Sequence, residues 1–175
     1  MNLRRLPGIA LFALCTLTAG STVAVEQSQK RTLTLYHTHT NLTLTVTFAM
    51  NGEFVASALG DVNKFLGDFR TGDTIDMDAE LLNILYDLRE SFGGDGVYEV
   101  ISGYRSPATN EMLRRQGRGV ARNSQHLKGK AIDVRLRGVE TAVLRDAAIA
   151  LQRGGVGYYK GSDFVHIDTG RVRRW

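Results

Sequence analysis

Three residues carry the types and spacing for a reactive metal centre: His126, Asp133 and His166. The first two lie in Ser124-Gln125-His126-Leu127-Lys128-Gly129-Lys130-Ala131-Ile132-Asp133, the third in Asp163-Phe164-Val165-His166-Ile167-Asp168. Two imidazoles and one carboxylate suit Zn2+. Three protein ligands leave a fourth position open for water or substrate, as catalytic zinc sites require. Asp163, three positions before His166, is the candidate general base beside such a centre. The chemistry this set points to is hydrolysis.

The elements around the three residues must bring them to one place. Residues two apart in a strand face the same way. In a strand at Ala131–Leu136, Asp133 shares a face with Ala131 while Ile132 and Val134 take the other. In a strand at Phe164–Asp168, His166 shares a face with Asp168 while Val165 and Ile167 take the other. Lys128-Gly129 permits a tight turn that sets His126 on or beside the same pair of strands.

Upstream, residues 31–48 alternate Thr with Leu, Val or Tyr, the mark of half-buried strands, and Asn51-Gly52 predicts a hairpin. Apolar spacing predicts helices over 59–70 and 79–92, read as scaffold. A strand at 97–102, a short helix at 110–116, a Gly-rich loop, a helix at 141–153 and a strand at 156–159 complete the pattern. Strands and helices do not alternate as in βαβ units. The expected fold is therefore α+β, an antiparallel sheet with helices packed on one side.

Composition narrows the function classes. The chain has 175 residues, 43% apolar and 23% charged, enough for one globular domain. Arg4 and Arg5, an apolar run from Ile9 to Leu17 and small residues before Ala24 read as a secretory signal over 1–24. The run is shorter than the about 20 residues of a membrane-spanning helix, so no stable membrane insertion is expected after cleavage. Residues 25–175 are then the mature domain, in the periplasm or the extracytoplasmic envelope, and a monomer. The lone Cys15 falls in the signal, so no disulfide is expected. Without Arg4 and Arg5, the 22 bases become 20 against 18 acids. That balance is too mild to imply nucleic acid. A local cluster, Arg114, Arg115, Arg118, Arg122, Lys128 and Lys130, is either a solvated helix end or a basic rim for an anionic polymer.

Ser-x-His-x-x-Gly-x-Ala-x-Asp, followed by acid-x-x-His, resembles the signature of the LAS-type zinc peptidases. That family includes the D-Ala-D-Ala metallopeptidases and shares its fold with hedgehog domains. Ser102-Gly103-Tyr104-Arg105-Ser106, Gly154-Gly155-Val156-Gly157-Tyr158 and Asp168-Thr169-Gly170-Arg171-Val172 are similar to its murein endopeptidase branch. The resemblance implies zinc ligation by His126, Asp133 and His166, a general-base role for Asp163 and oxyanion stabilisation by Arg105. Many relatives carry Glu where this chain has the shorter Asp163. The implied substrate is the peptide of peptidoglycan, cut within its cross-links.

Other polar residues have secondary readings. Asp168 is either a rival base or a carboxylate that orients a ligand imidazole. Ser124 has no recognisable base, so it reads as a supporting residue and not a nucleophile. His37 and His39 read as wall or structural residues on one face, the alternative being that His39 borders the cleft. Tyr104, Tyr158 and Tyr159 either line the cleft or pack in the core. Two other functions stay open: trimming of terminal D-Ala, with Arg122 or Lys128 taking the substrate carboxylate, and wall binding without catalysis.

Overall fold

The computed structural model describes residues 29–117 and 119–175. The expected signal segment with Cys15, and Arg118 of the basic cluster, lie outside the described residues.

One eight-stranded sheet organises the domain. In chain order its strands are β1 (Lys30–His37), β2 (Thr43–Met50), β3 (Glu53–Phe54), β4 (Tyr98–Ser102), β5 (Ala131–Leu136), β6 (Gly155–Tyr159), β7 (Phe164–Asp168) and β8 (Arg173–Arg174). Their spatial order is β3-β2-β1-β4-β5-β7-β6-β8. The helices are α1 (Ala56–Phe65), α2 (Glu80–Glu90), α3 (Pro107–Arg115) and α4 (Thr141–Leu151).

The fold is α+β, but the sheet is mixed and not antiparallel as expected. β1 pairs with β4 in parallel, and so does β6 with the two-residue β8. The cause lies in the connections. A parallel neighbour needs a long crossover, and the segment through β2, β3, α1 and α2 supplies it between β1 and β4. Hairpin-like order holds elsewhere, including the β5–β7 pair that carries two of the three candidate ligands.

Three helices cover one face. Ala58 and Val62 of α1, the Leu81, Leu82, Ile84, Leu85 and Leu88 set of α2, and Leu144 and Ala148 of α4 join one core with Leu33, Leu35, Val100, Ile132, Val134, Val165 and Ile167 of the sheet. Ile132, Val134 and Val165 are fully buried. Each large side chain so buried contributes about 1.5–3 kcal/mol, which fixes the register of β5 against β7. A one-residue slip would turn those residues out and the polar ones in. Helix α3 departs from the expected one-sided packing: its buried Leu113 lines the cavity described below instead of joining that core.

Helix α1 also ends earlier than its apolar spacing suggests. It stops at Phe65, and Asp68 closes a turn by accepting the Arg70 N–H at 3.0 Å. Phe69 and Arg70 therefore sit on a loop and not on the helix.

Candidate metal centre

Each of the three residues is placed by a different local device. His126 sits in a 3-10 turn, Gln125–Lys128, that opens with Ser124 Oγ accepting the His126 N–H at 3.3 Å. The turn closes on Gly129 at φ +66, where a Cβ would lie 2.6 Å from the Asp76 carbonyl oxygen. Backbone handedness and close approach both demand glycine there. Asp133 of β5 stands directly opposite His166 of β7 in the antiparallel register.

These placements converge. His126 Nε2 lies 3.2 Å from Asp133 Oδ1 and 3.1 Å from His166 Nδ1, and His166 Nδ1 lies 2.9 Å from Asp133 Oδ1. All three residues are buried.

The far sides of the two imidazoles decide what the near sides offer. His126 Nδ1 donates to the Gly103 carbonyl at 2.7 Å, which leaves Nε2 as a bare lone pair. His166 Nε2 donates to Asp168 Oδ2 at 3.0 Å, which leaves Nδ1 bare. Two lone pairs and a carboxylate oxygen then face one another, an arrangement that calls for a cation. A tetrahedral zinc with bonds of about 2.0–2.2 Å sets its ligand atoms roughly 3.3–3.6 Å apart, close to the spacing seen here. The donor set fits the metal.

Burial and neighbouring charge act differently on the three groups. Burial lowers the His126 pKa despite the Asp133 carboxylate beside it, so this imidazole stays neutral. Burial acts the same way on His166, but hydrogen bonds to the Asp133 and Asp168 carboxylates outweigh it and raise its pKa. Burial also opposes charge on Asp133, yet the two imidazoles hold its carboxyl well below the usual range.

Asp168 is fully buried and surrounded by donors. Besides His166, its carboxylate accepts from Arg173 at 2.7 and 3.1 Å, from the Gly170 N–H at 2.8 Å and from the Gly155 N–H at 3.2 Å. Committed to these, it orients the His166 imidazole from behind and is in no position to take a proton from the cavity.

Arg105 stands on the other side of Asp133, with Nη2 at 3.4 Å from Oδ2 and 3.3 Å from Ser102 Oγ. Burial pulls its pKa down and the Asp133 carboxylate pushes back. Its backbone N–H donates to the His126 carbonyl at 3.2 Å.

A cavity of about 780 Å3 opens over this centre. Arg105, Ser124, His39, Arg70, Tyr159 and Trp175 line it together with the three buried residues. On sheet position, the centre lies on β5 and β7, His39 and Ser102 on the β1/β4 flank, and Tyr159 and Trp175 on the β6/β8 flank.

A family model described as peptidoglycan L,D-endopeptidase MepK matches residues 25–175. The chain belongs to that family. It is 40% identical over 171 residues to a probable peptidoglycan L,D-endopeptidase MepK of Haemophilus influenzae, covering 97% of this chain and 91% of that protein. It is 38% identical over 174 residues to the peptidoglycan L,D-endopeptidase MepK of Escherichia coli K12, covering 99% and 95%. No solved structure matches. The chain is thus a peptidase of the MepK family.

Two sequence expectations meet a different geometry. Asp163 does not line the cavity. It sits at φ +51 on the turn before β7, exposed, where Oδ1 accepts from Thr141 Oγ1 at 2.7 Å and Oδ2 lies 3.5 Å from Arg135 Nε. Those partners hold the carboxylate at the start of α4 and away from the buried centre. Tyr104 likewise packs against the core, its backbone N–H bonded to the Leu66 carbonyl at 2.7 Å.

The two histidines of β1 and its turn also separate. His37 is buried edge-on against Phe65 and Phe69 and accepts the His39 N–H at Nδ1. His39 lies beyond the strand end, exposed at the cavity and stacked on Phe69 at 4.3 Å. Sequence reasoning passed over Arg70, Arg173 and Trp175. For Arg70 the signal was present in the turn residues Gly67, Asp68, Gly72 and Asp73. The basic cluster is partly a solvated helix end: Arg114 and Arg115 pair with Glu111 on α3.

Proposed function

We propose that this protein is a zinc-dependent peptidoglycan endopeptidase that hydrolyses amide bonds within peptide cross-links of the cell wall. One observation carries the reading: two imidazole lone pairs and a carboxylate oxygen, 2.9–3.2 Å apart, form the floor of an open cavity walled by Arg105. Membership of the MepK family supports the substrate class.

His126 Nε2, Asp133 Oδ1 and His166 Nδ1 would hold the zinc. A bound zinc acidifies water and polarises the scissile carbonyl. The remaining work falls to the chain. Arg105 presents a guanidinium beside Asp133, where charge develops on the carbonyl oxygen. Gly103 and Asp168 keep the imidazoles in their working tautomers, and Ser124 caps the turn that carries His126. Among the described cavity-lining side chains, His39 is the imidazole outside the metal set. Burial and the nearby Arg70 hold its pKa below the ordinary value, so it is a neutral base at pH 7 and takes the proton role. The fold assignment that accompanies this reading is the D,D-peptidase and hedgehog type. Its support is the order of ligands along the chain.

The site of action follows from the substrate: the periplasm or extracytoplasmic envelope, reached through the signal read over residues 1–24. No described helix is long and apolar enough to cross a membrane. The protein works as a monomer on this reading.

The test is digestion of purified cross-linked peptidoglycan by residues 25–175, with product masses measured. The expected outcome is conversion of cross-linked dimers to monomers, blocked by a chelator and restored by zinc. Loss of a single terminal residue would replace the endopeptidase with a carboxypeptidase. Unchanged masses with zinc-loaded, folded protein would overturn the enzymatic reading.

A further inference from the structure

The charges around the cavity are unbalanced. Asp133 is the single acidic side chain among the described lining residues and already faces His126, His166 and Arg105. Three of the described arginines line it: Arg70, Arg105 and Arg173. Arg173 is neutralised by Asp168. Arg70 takes part in none of the ion pairs found among the described residues. Among the described residues, the cavity thus holds one guanidinium without a carboxylate partner, at its β1/β4 end.

That guanidinium is held in place. Its carbon lies 4.1 Å from the centre of the Phe69 ring, on which His39 also stacks at 4.3 Å and an interplanar angle of 16°. Stacking on a ring fixes the plane of a guanidinium and leaves its N–H fork open for a planar anion. The backbone beneath is fixed too. Asp68 is 2% exposed, and its two oxygens accept the N–H of Arg70 at 3.0 Å and of Ser106 at 2.9 Å. The Gly72 N–H closes the same turn on the Asp68 carbonyl at 2.7 Å. One buried carboxylate therefore ties the loop of Arg70 to the residue after Arg105.

We propose that Arg70 is a carboxylate-binding subsite that selects peptides bearing a free carboxylate on the β1/β4 side of the scissile bond, and that Asp68 is its positioning residue. This rests on the peptidase reading above. The opposite end of the cavity is aromatic, with Tyr159 stacked on Phe164 at 4.6 Å and Trp175 5.2 Å from the His166 ring. An acidic peptide lying across the strands therefore has one productive direction, its carboxylate at Arg70 and its less polar part at Trp175.

The experiment uses cross-linked muropeptide dimers in two forms, with carboxylates free or converted to carboxamides. Cleavage is measured with zinc-loaded protein, and binding by calorimetry with metal-free protein. Wild type should favour the free acid about tenfold or more, chiefly through KM, as expected for a charge-assisted bidentate pair. Arg70→Ala should handle both forms with equal kcat/KM, and Arg70→Lys should recover part of the preference. Asp68→Asn should lose preference as Arg70→Ala does, and because Asp68 also holds the residue after Arg105, its kcat should fall for both forms alike. Melting curves identify any variant that fails to fold. Arg70 is exposed, so its variants test the subsite even if Asp68→Asn unfolds. Cleavage by wild type with no preference, or a preference kept by Arg70→Ala, overturns the subsite alone. Preferential binding without cleavage keeps the subsite and overturns the peptidase reading. Neither binding nor cleavage overturns both.

Discussion

Replacing Asp168 by Asn changes one oxygen to NH2 in a fully buried site whose every neighbour is a donor. Its Oδ2 faces His166 Nε2 and Arg173 Nη2; its Oδ1 faces Arg173 Nη1 and the Gly155 and Gly170 N–H groups. Whichever way the amide turns, its NH2 meets at least two donors. Losing two bonds to a charged group at about 1.5–3 kcal/mol each costs about 3–6 kcal/mol, a melting-temperature drop of at least about 6 °C. With the NH2 toward His166, the imidazole must accept at Nε2, which moves its proton to Nδ1. That atom is 2.9 Å from Asp133 Oδ1 and is the one needed for metal. Zinc affinity should fall about 10–100-fold, read by competition with a chromogenic chelator. Asp163→Asn is the control, because that carboxylate is exposed and its described partners are Thr141 and Arg135. If Asp168→Asn melts and binds zinc like wild type, the account of His166 orientation is wrong.

Four further outcomes follow from the same geometry. His39→Ala should retain stoichiometric zinc yet lose about 10²–10⁴-fold in turnover, whereas Asp163→Ala should keep near wild-type turnover; the reverse pattern would restore Asp163 as base. The His39 pKa is lowered by burial and by Arg70, and the neutral form is the base. Activity should therefore fall with acidification at a pH below 6.5, and Arg70→Ala should move that limb of the kcat/KM profile upward. Gly129→Ala should destabilise by more than about 1 kcal/mol in a melt, because the residue needs positive φ and meets the Asp76 carbonyl. Removing zinc with a chelator should lower the melting temperature, and zinc added in excess of its Kd should restore it by mass action.

Much of this was legible in the chain because strand patterning is strong where it matters. Ala131–Leu136 and Phe164–Asp168 occur as read, since Ile132, Val134, Val165 and Ile167 have a single buried face to satisfy. The convergence of His126, Asp133 and His166 followed from that alternation plus the Gly129 turn. Local pattern could not show the parallel pairing of β1 with β4, because pairing partners some 60 residues apart are chosen by the crossover and not by the strands themselves. Nor could it show the end of α1, where apolar spacing ran on through Phe69 while Asp68 drew the backbone into a turn. A side chain's hydrogen-bond competition with the helix overrode the period there. That turn is what brought Arg70 to the cavity.

Asp163 and Asp168 show how little spacing says about what an acid meets. Both flank His166, and the motif favours Asp163 as the base, yet one is exposed and tied to Thr141 while the other is sealed behind an imidazole. What separates them is the set of donors each meets, which depends on β6, β8 and α4 and not on the motif. The same reasoning unites Asp168 with Asp68. Each is buried, and each carboxyl is held below its ordinary value: burial opposes the charge in both, and donor hydrogen bonds outweigh it. Neither touches the cavity. Asp168 fixes a ligand imidazole and Arg173 on one flank, and Asp68 fixes the loops of Arg70 and Arg105 on the other. Ionised carboxylates in closed donor cages are stiff supports, since moving any partner leaves a buried charge short of a bond. The geometry over His126, Asp133 and His166 is therefore set from both flanks by acids that need never meet the substrate.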